Sequence, residues 1–270
     1  MLLYRYIHMN DIVTKLEEAE KEYASSFIGI REVSKKYNIQ RQVLTGWLLA
    51  KGYTIENRRA NKSFNIHFFD NIDTEEKAYW LGFLFADGAV TQYKHSYDIE
   101  LSLQIGDKEH VEKFAKAIGK KYVNNNSTYR SRCIVGSKHM FNVLSSYGCT
   151  VRKSLTLKFP DKNIFKDKSL IRHFIRGYVD GDGCLSFANK EHTKSVVSIL
   201  GTENFLKGII EEVPNTTKLC NNSKDQDITK VLSYNGKAGF KFAKYLYEDS
   251  TVYLKRKYER YLKYCLLYQQ

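Results

Sequence analysis

Two aspartates stand out by what surrounds them. Asp87 closes the nearly unbroken apolar run KAYWLGFLFADG, residues 77–88, and Asp182 closes the related run HFIRGYVDGDG, residues 173–183. Both runs are apolar on most faces, which predicts buried helices. Each acid then falls in the last turn, where the partial negative charge of a helix end disfavours a carboxylate. One Asp-Gly after an apolar helix is accounted for by a C-terminal cap; two matched copies call for more. Gly82, Ala86, Asp87 and Gly88 line up with Gly177, Gly181, Asp182 and Gly183 at a constant offset (182 − 87 = 95). Small residues four apart, Gly82 with Ala86 and Gly177 with Gly181, let two helix backbones approach closely. Packing the helices on each other across a pseudo-twofold axis brings Asp87 and Asp182 together. Two carboxylates about 5 Å apart, at an effective dielectric of about 20, repel by about 3 kcal/mol. A divalent cation cancels that penalty, and oxygen-only ligation at helix ends suits Mg²⁺.

The elements that position these acids are read from periodicity. After the first run, YDIELSLQI (97–105) alternates as a half-buried strand, DKEHVEKFAKAIG forms an amphipathic helix, STYRSRCIV a strand and SKHMFNVLSSYG a helix closed by Gly148. After the second, SVVSIL is a strand, TENFLKGIIEEV a helix, ITKVLSYNG a strand and KAGFKFAKYLYED a helix. Two copies of one compact unit follow, spanning residues 66–166 and 167–270, each built from helices and hairpin-linked strands with one polar face. The class is α+β with antiparallel sheets.

Residues 1–65 lie outside the repeat. NDIVTKLEEAEKEY can form a helix; GIREVSKKY and QRQVLTGWLLAKG form two short helices around a tight turn, a helix-turn-helix pattern. Ile30, Val33 and Tyr37 share one face, Ile39 occupies the turn, and Val43, Leu44, Trp47 and Leu48 supply the buried face of the last helix. Its exposed side offers Gln40, Arg41, Gln42 and Thr45 to base edges, while Lys35, Lys36, Arg58, Arg59 and Lys62 suit phosphates.

Bulk composition fits such a partner. The net charge is +13 over 270 residues, with 43% hydrophobic residues and two prolines, so the chain is globular and its partner is a polyanion, nucleic acid ahead of a membrane surface. The five cysteines are scattered with no CxxC spacing, which excludes a sequence-evident zinc or disulfide framework and fits a reducing compartment. No stretch reaches the roughly 20 apolar residues of a membrane span. The expected protein is soluble and intracellular, cytoplasmic if bacterial or phage-encoded, with an organelle as the other setting.

YWLGFLFADG and FIRGYVDGDG resemble the signature helices of the LAGLIDADG homing endonucleases in their single-chain, two-motif form. The resemblance covers roughly residues 70–265, and the preceding helix-turn-helix is similar to the extra DNA-binding module that some members carry. It implies two αββαββα units forming a saddle of antiparallel sheets, and a monomer that cuts double-stranded DNA at a long asymmetric target. It also implies a staggered cut leaving 3′ overhangs. Asp87 and Asp182 fall on the catalytic, metal-holding acids. Ala86 and Gly181 fall on the position whose carbonyl helps hold Mg²⁺, for which Mn²⁺ can substitute. The motif's preceding position is Phe85 in one copy and Asp180 in the other, and Asp180 is not assigned as a ligand. Gln104, on the polar strand face, matches a glutamine of some relatives, with an apolar counterpart near Ile199 or Leu200. Lys153 and Lys257 match lysines that end each repeat in similar proteins, where a cation would stabilise developing charge; a phosphate contact or a solvated surface position is the other reading. Arg130, Arg132 and Lys230, on the strands, are the candidates for base reading. Two other readings use the same scaffold: a non-cleaving DNA-binding regulator, which should lose one or both acids, and an intron RNA maturase.

Overall fold

The computed structural model describes residues 2–25, 29–53, 55, 64–94, 96–120, 123, 128–213, 219–221 and 229–268. Arg58, Arg59 and Lys62 lie outside them. The chain divides into two compact units, residues 1–65 with 118–121, and residues 66–117 with 122–270.

In the first unit, helix α1 (Leu2–Ser25) is followed by α2 (Ile30–Lys36) and α3 (Arg41–Ala50). Leu16, Ala19 and Tyr23 of α1, Val33 of α2 and Leu44 and Leu48 of α3 form the core, with Ile30, Tyr37, Ile39 and Trp47 packed against it. The polar tips of two of these residues find acids on α1: Trp47 Nε1 donates to Glu20 at 2.7 Å and Tyr37 Oη to Glu22 at 2.7 Å. Asn38 takes the left-handed conformation (φ 52°), which turns the chain between α2 and α3. Val43, expected inside, is 46% exposed. The inward stripe centres on Leu44 and Leu48, and Val43 falls roughly 120° round the helix from that centre.

The second unit is α+β. Its first half runs α4 (Glu75–Ala86), β1 (Gly88–Tyr93), β2 (Ser96–Gln104), α5 (Lys108–Ala117), β3 (Arg130–Gly136) and α6 (Lys138–Ser146). The second half runs α7 (Ile171–Asp182), β4 (Gly183–Phe187), β5 (Ser195–Thr202), α8 (Glu203–Glu212), β6 (Leu219–Asn221), β7 (Thr229–Asn235) and α9 (Lys237–Tyr247), and α10 (Lys255–Tyr268) follows. The second half has the expected αββαββα order. Among the described residues the first half has one strand after α5 where two were expected. All named strands pair antiparallel, in the orders β1-β2-β3 and β4-β5-β7-β6. Among the described residues no helix is long and apolar enough to cross a membrane.

Helices α4 and α7 form the centre. Ala78 to Phe85 of α4 are all buried, as are Ile171 and His173 to Asp180 of α7. Thr74 caps α4 by accepting from Lys77 N, and Glu75 and Glu76 complement the positive end of the helix. The helices touch backbone to backbone: a Cβ on Gly82 would lie 1.9 Å from Phe174 O, and one on Gly177 would lie 2.0 Å from Tyr79 O. These contacts are reciprocal under the repeat offset (177 − 82 = 95; 174 − 79 = 95), as a pseudo-twofold axis between the helices requires. Gly177→Ala is therefore expected to destabilise the protein by about 3 kcal/mol. Gly46→Ala, in α3 with nothing within 4 Å of the added methyl, is expected to stabilise it by about 0.5–1 kcal/mol. Chemical denaturation followed by circular dichroism checks both.

Candidate active site

The pseudo-twofold contact ends where a residue meets its own counterpart. A Cβ on Gly181 would sit 2.3 Å from Ala86 Cβ, so the seam accepts one methyl there and not two. The next residues are the two acids. Asp87 leans across the seam, with Oδ2 3.4 Å from the position that a Gly181 Cβ would take. Asp182 ends α7 on the other side. Both acids are open to solvent on one side and crowded by protein on the other. Lost solvation, and then the charge of Asp87, push the Asp182 carboxyl up to about 6. Lost solvation also raises Asp87, against the pull of Lys257, Lys153, Arg256 and Arg130. The helix contact thus holds two like charges side by side at an accessible surface, which is the arrangement expected of a cation site.

The helix ends already have positive partners. Lys153 Nζ donates to Ala86 O at 3.3 Å and to Gly88 O. Lys257 Nζ lies 3.2 Å from Gly181 O and 2.6 Å from Gly183 O, and also reaches Val179 O at 2.7 Å and Asp180 O at 2.6 Å. Residues 86 and 88 and residues 181 and 183 are matched pairs at the same offset, so the two ammonium groups do the same job in each half. Both lysines are buried. Burial pulls the Lys257 ammonium down to about 8, with Asp180 opposing. They are neither surface groups nor arms reaching for a ligand; they neutralise the helix termini from beneath. The Ala86 and Gly181 carbonyls each spend one lone pair on a lysine and keep a second.

Asp180 turns into the core. It accepts from Tyr79 Oη at 2.7 Å, Tyr247 Oη at 2.6 Å and Leu254 N at 2.7 Å, which anchors the segment leading into α10 and hence Lys257. A buried acid with that many donors is a structural tie.

Beside Asp87, a cavity of about 430 Å³ is lined by Ala89, Glu100, Ser102, Arg130 and Arg132 as well as Asp87. Alternation along the strands puts these side chains on the face of the sheet opposite its buried residues. Arg130 donates to Ser102 Oγ at 2.9 Å and Ser102 O at 3.0 Å, and Arg132 makes a two-pronged pair with Glu100 at 2.7 and 2.9 Å. Glu100 is the participant that sequence reasoning missed; its place on the polar face of β2, diagonal to Arg132 on the neighbouring strand, was the available signal. Gln104 is exposed at the end of β2, opposite Arg130 in register.

The second sheet is different. Gly88 pairs with Leu101 and Gly183 with Ile199, so the strand offset is 98 (199 − 101) in place of 95. The register counterpart of Gln104 is then Thr202, neither Ile199 nor Leu200, and Thr202 is consumed in capping α8. Lys230 does not join the open face. It pairs with Gly201, whose added Cβ would point at Tyr178 and Leu206, so Lys230 lies on the helix side, where its charge acts on Glu203. The period of two decides this: Leu232 and Tyr234 are buried, and Lys230 shares their parity. In the other unit, Gln40, Arg41 and Gln42 are exposed; Thr45 is half-buried and its hydroxyl donates to Arg41 O at 2.7 Å.

No family model and no curated protein sequence matches the chain. Solved structures do. The I-LtrWI LAGLIDADG homing endonuclease bound to target DNA is 12% identical, with 76% of this chain and 92% of that one covered at a TM-score of 0.48. I-SmaMI bound to cleaved DNA is 12% identical, with 70% and 87% covered at a TM-score of 0.47. Both are LAGLIDADG homing endonucleases. Such values record a likeness of outline and assign no residue here.

Two outcomes test the site's construction. Gly181→Ala should destabilise the seam, and the double variant Ala86→Gly, Gly181→Ala should recover most of the loss, because it moves the single methyl across the axis; melting temperatures decide. Asp182 is also predicted to cost stability. Its folded value of about 6 exceeds its ordinary 3.8, so between these values the folded state keeps a proton that the unfolded state has released. Its contribution to stability therefore falls as pH rises through that window. Asp182→Asn should raise the melting temperature at neutral pH and leave it nearly unchanged in acid.

Proposed function

We propose that this protein is a site-specific double-strand DNA endonuclease whose paired acids, Asp87 and Asp182, hold Mg²⁺ and act on one strand each. One observation carries the reading: two carboxylates from matched helices meet at an accessible seam, in a protein of net charge +13, with Arg130 and Arg132 on the adjoining sheet face. Two carboxylates supplemented by a substrate phosphate are a usual complement for Mg²⁺. The donors present fit it: both acids reach the same seam, and the Ala86 and Gly181 oxygens each retain a lone pair. When bound, the cation would activate water and stabilise charge on the phosphate and the leaving oxygen. The chain's own residues supply the rest. Lys153 and Lys257 keep the helix ends from repelling a polyanion, and their link to the seam makes them positioning residues. Arg130 and Arg132 contact phosphate or base edges along the groove. The α2–turn–α3 segment acts as a helix-turn-helix that adds a second contact through Gln40, Arg41 and Gln42. The sheets form a saddle over a long target, and the unlike sheet faces make that target asymmetric. The protein works as a monomer, because both acids come from one chain, and cuts leave 3′ overhangs.

Incubation with a randomised duplex library, in Mg²⁺ or in EDTA, followed by sequencing of cut ends, tests this. Cleavage should need Mg²⁺ or Mn²⁺, and its rate should fall in acid, where protons compete with the metal for the paired carboxylates. Asp87→Asn and Asp182→Asn should each abolish double-strand cleavage while retaining DNA binding, whose affinity falls steeply with salt. Variants that cut as well as the parent overturn the site; an intact chain that binds DNA but never cuts in any metal leaves the regulator reading in its place.

A further inference from the structure

A second cluster of metal-ligating side chains lies away from the acids. His67 and Asp70 belong to the turn over residues 66–70, and His139 is the second residue of α6. His67 Nδ1 lies 2.7 Å from Asp70 Oδ2, and His139 Nε2 lies 2.6 Å from Asp70 Oδ1. The imidazole rings are 4.5 Å apart between centroids. One ligand atom from each of the three residues falls within 4.8 Å of the others, and among the described residues no other group of three or more His, Cys, Asp or Glu is so arranged.

The turn that carries His67 and Asp70 is held in place. Phe68 and Phe69, within it, are buried, and Tyr147 Oη, from the residue that caps α6, lies 3.0 Å from Phe69 O and 3.2 Å from Asp70 O. His139 is fixed by the first turn of α6, which Ser137 caps through Met140 N. The donor set is therefore assembled from two anchored elements of one unit and does not depend on the nuclease site.

We infer that His67, Asp70 and His139 form a Zn²⁺ site that clips the turn before α4 to the start of α6. Two imidazole nitrogens and one carboxylate oxygen are a borderline donor set that favours Zn²⁺ over the oxygen-seeking Mg²⁺. Tetrahedral zinc, with bonds of about 2.0–2.2 Å, separates its ligand atoms by about 3.3 Å. The present separations, from 2.6 Å to within 4.8 Å, bracket that value, so small rotations of the rings and carboxylate complete the site. Each ring must offer a lone pair where it now bonds the carboxylate, which a neutral imidazole does by moving its proton to the other nitrogen. His67 is exposed, so the fourth position faces solvent and takes water.

The test is calorimetric titration of chelator-stripped full-length protein with Zn²⁺, carried out on the Asp87→Asn, Asp182→Asn double variant so that the nuclease acids cannot contribute. One equivalent should bind, and the melting temperature should rise with it. His67→Ala and His139→Ala, each checked for folding by circular dichroism, should weaken binding by about tenfold or more. Co²⁺ in the same site should give a visible band typical of low coordination number that both variants lose. Absence of binding, or binding unchanged in both histidine variants, overturns the site. So does binding that follows Cys184→Ser, since Cys184 is an exposed thiol able to take Zn²⁺. In each of those cases the triad is a hydrogen-bonded tie and nothing more.

Discussion

Everything in the second unit depends on how closely α4 and α7 approach. With Gly82 against Phe174 O and Gly177 against Tyr79 O, no side chain stands between the two backbones at those points. Contact of that kind cannot slide: moving one helix along the other drives a neighbouring side chain into a carbonyl, and packed interiors respond to such overlap in whole steps. The ends are fastened as well. Arg176 of α7 is fully buried; it donates to Glu75 at the start of α4 at 2.6 Å and to Leu246 O and Val252 O at 3.0 Å each. Register, rotation and separation are thus fixed together, and the two acids arrive at the seam as a consequence.

That arrangement works against the fold. Two carboxylates at helix C-termini repel each other and the helix ends; lost solvation, and then the charge of Asp87, hold the Asp182 carboxyl high. Lys153 and Lys257 are the counterweight. An ammonium beneath each helix end satisfies the carbonyls that the last turn leaves open, and it lies close enough to lower both acids. Asp180 completes the device, since its bond from Leu254 N sets the start of the helix that carries Lys257. A site designed only for stability would have replaced the acids. On the proposed function the acids are kept for a cation, and the buried ammonium groups offset their mutual repulsion in both halves.

The repeat, the helix interface and the acids were legible because each rests on a short-range rule: apolar runs, small residues four apart, a constant offset. The α+β class followed from alternation in β2 and β5 and the helical period in α5, α6, α8 and α9. What failed did so where long-range register decides. Lys230 looked like an open-face residue until its pairing with Gly201 put it on the helix side. The counterpart of Gln104 shifted from Ile199 or Leu200 to Thr202 because the β4–β5 connection is longer than the β1–β2 connection. The burial of Lys153 and Lys257 was also invisible, since nothing local marks a lysine that snorkels under a helix end. The histidine cluster joins residues 67, 70 and 139, a separation that no spacing pattern spans.

The two sheets carry unlike surfaces on one scaffold. The open face of the first bears Glu100, Arg130 and Arg132; by register their counterparts in the second are Ser198, Thr229 and Val231, none of them charged. Ser102, which orients Arg130, has Leu200 as its register counterpart, whose side chain carries no polar group. For the proposed DNA-cutting role, this means that the halves divide the work. The first meets nucleic acid through arginines already held in place, and Arg132 must trade Glu100 for its target, so a poor target leaves the glutamate pair intact. That exchange is a built-in penalty against wrong sequences. The second half meets nucleic acid through small polar and apolar groups, which suit thymine methyls and close backbone approach. On that role, two antiparallel strands call for a symmetric seam, while the reading of bases leaves the two faces free to differ.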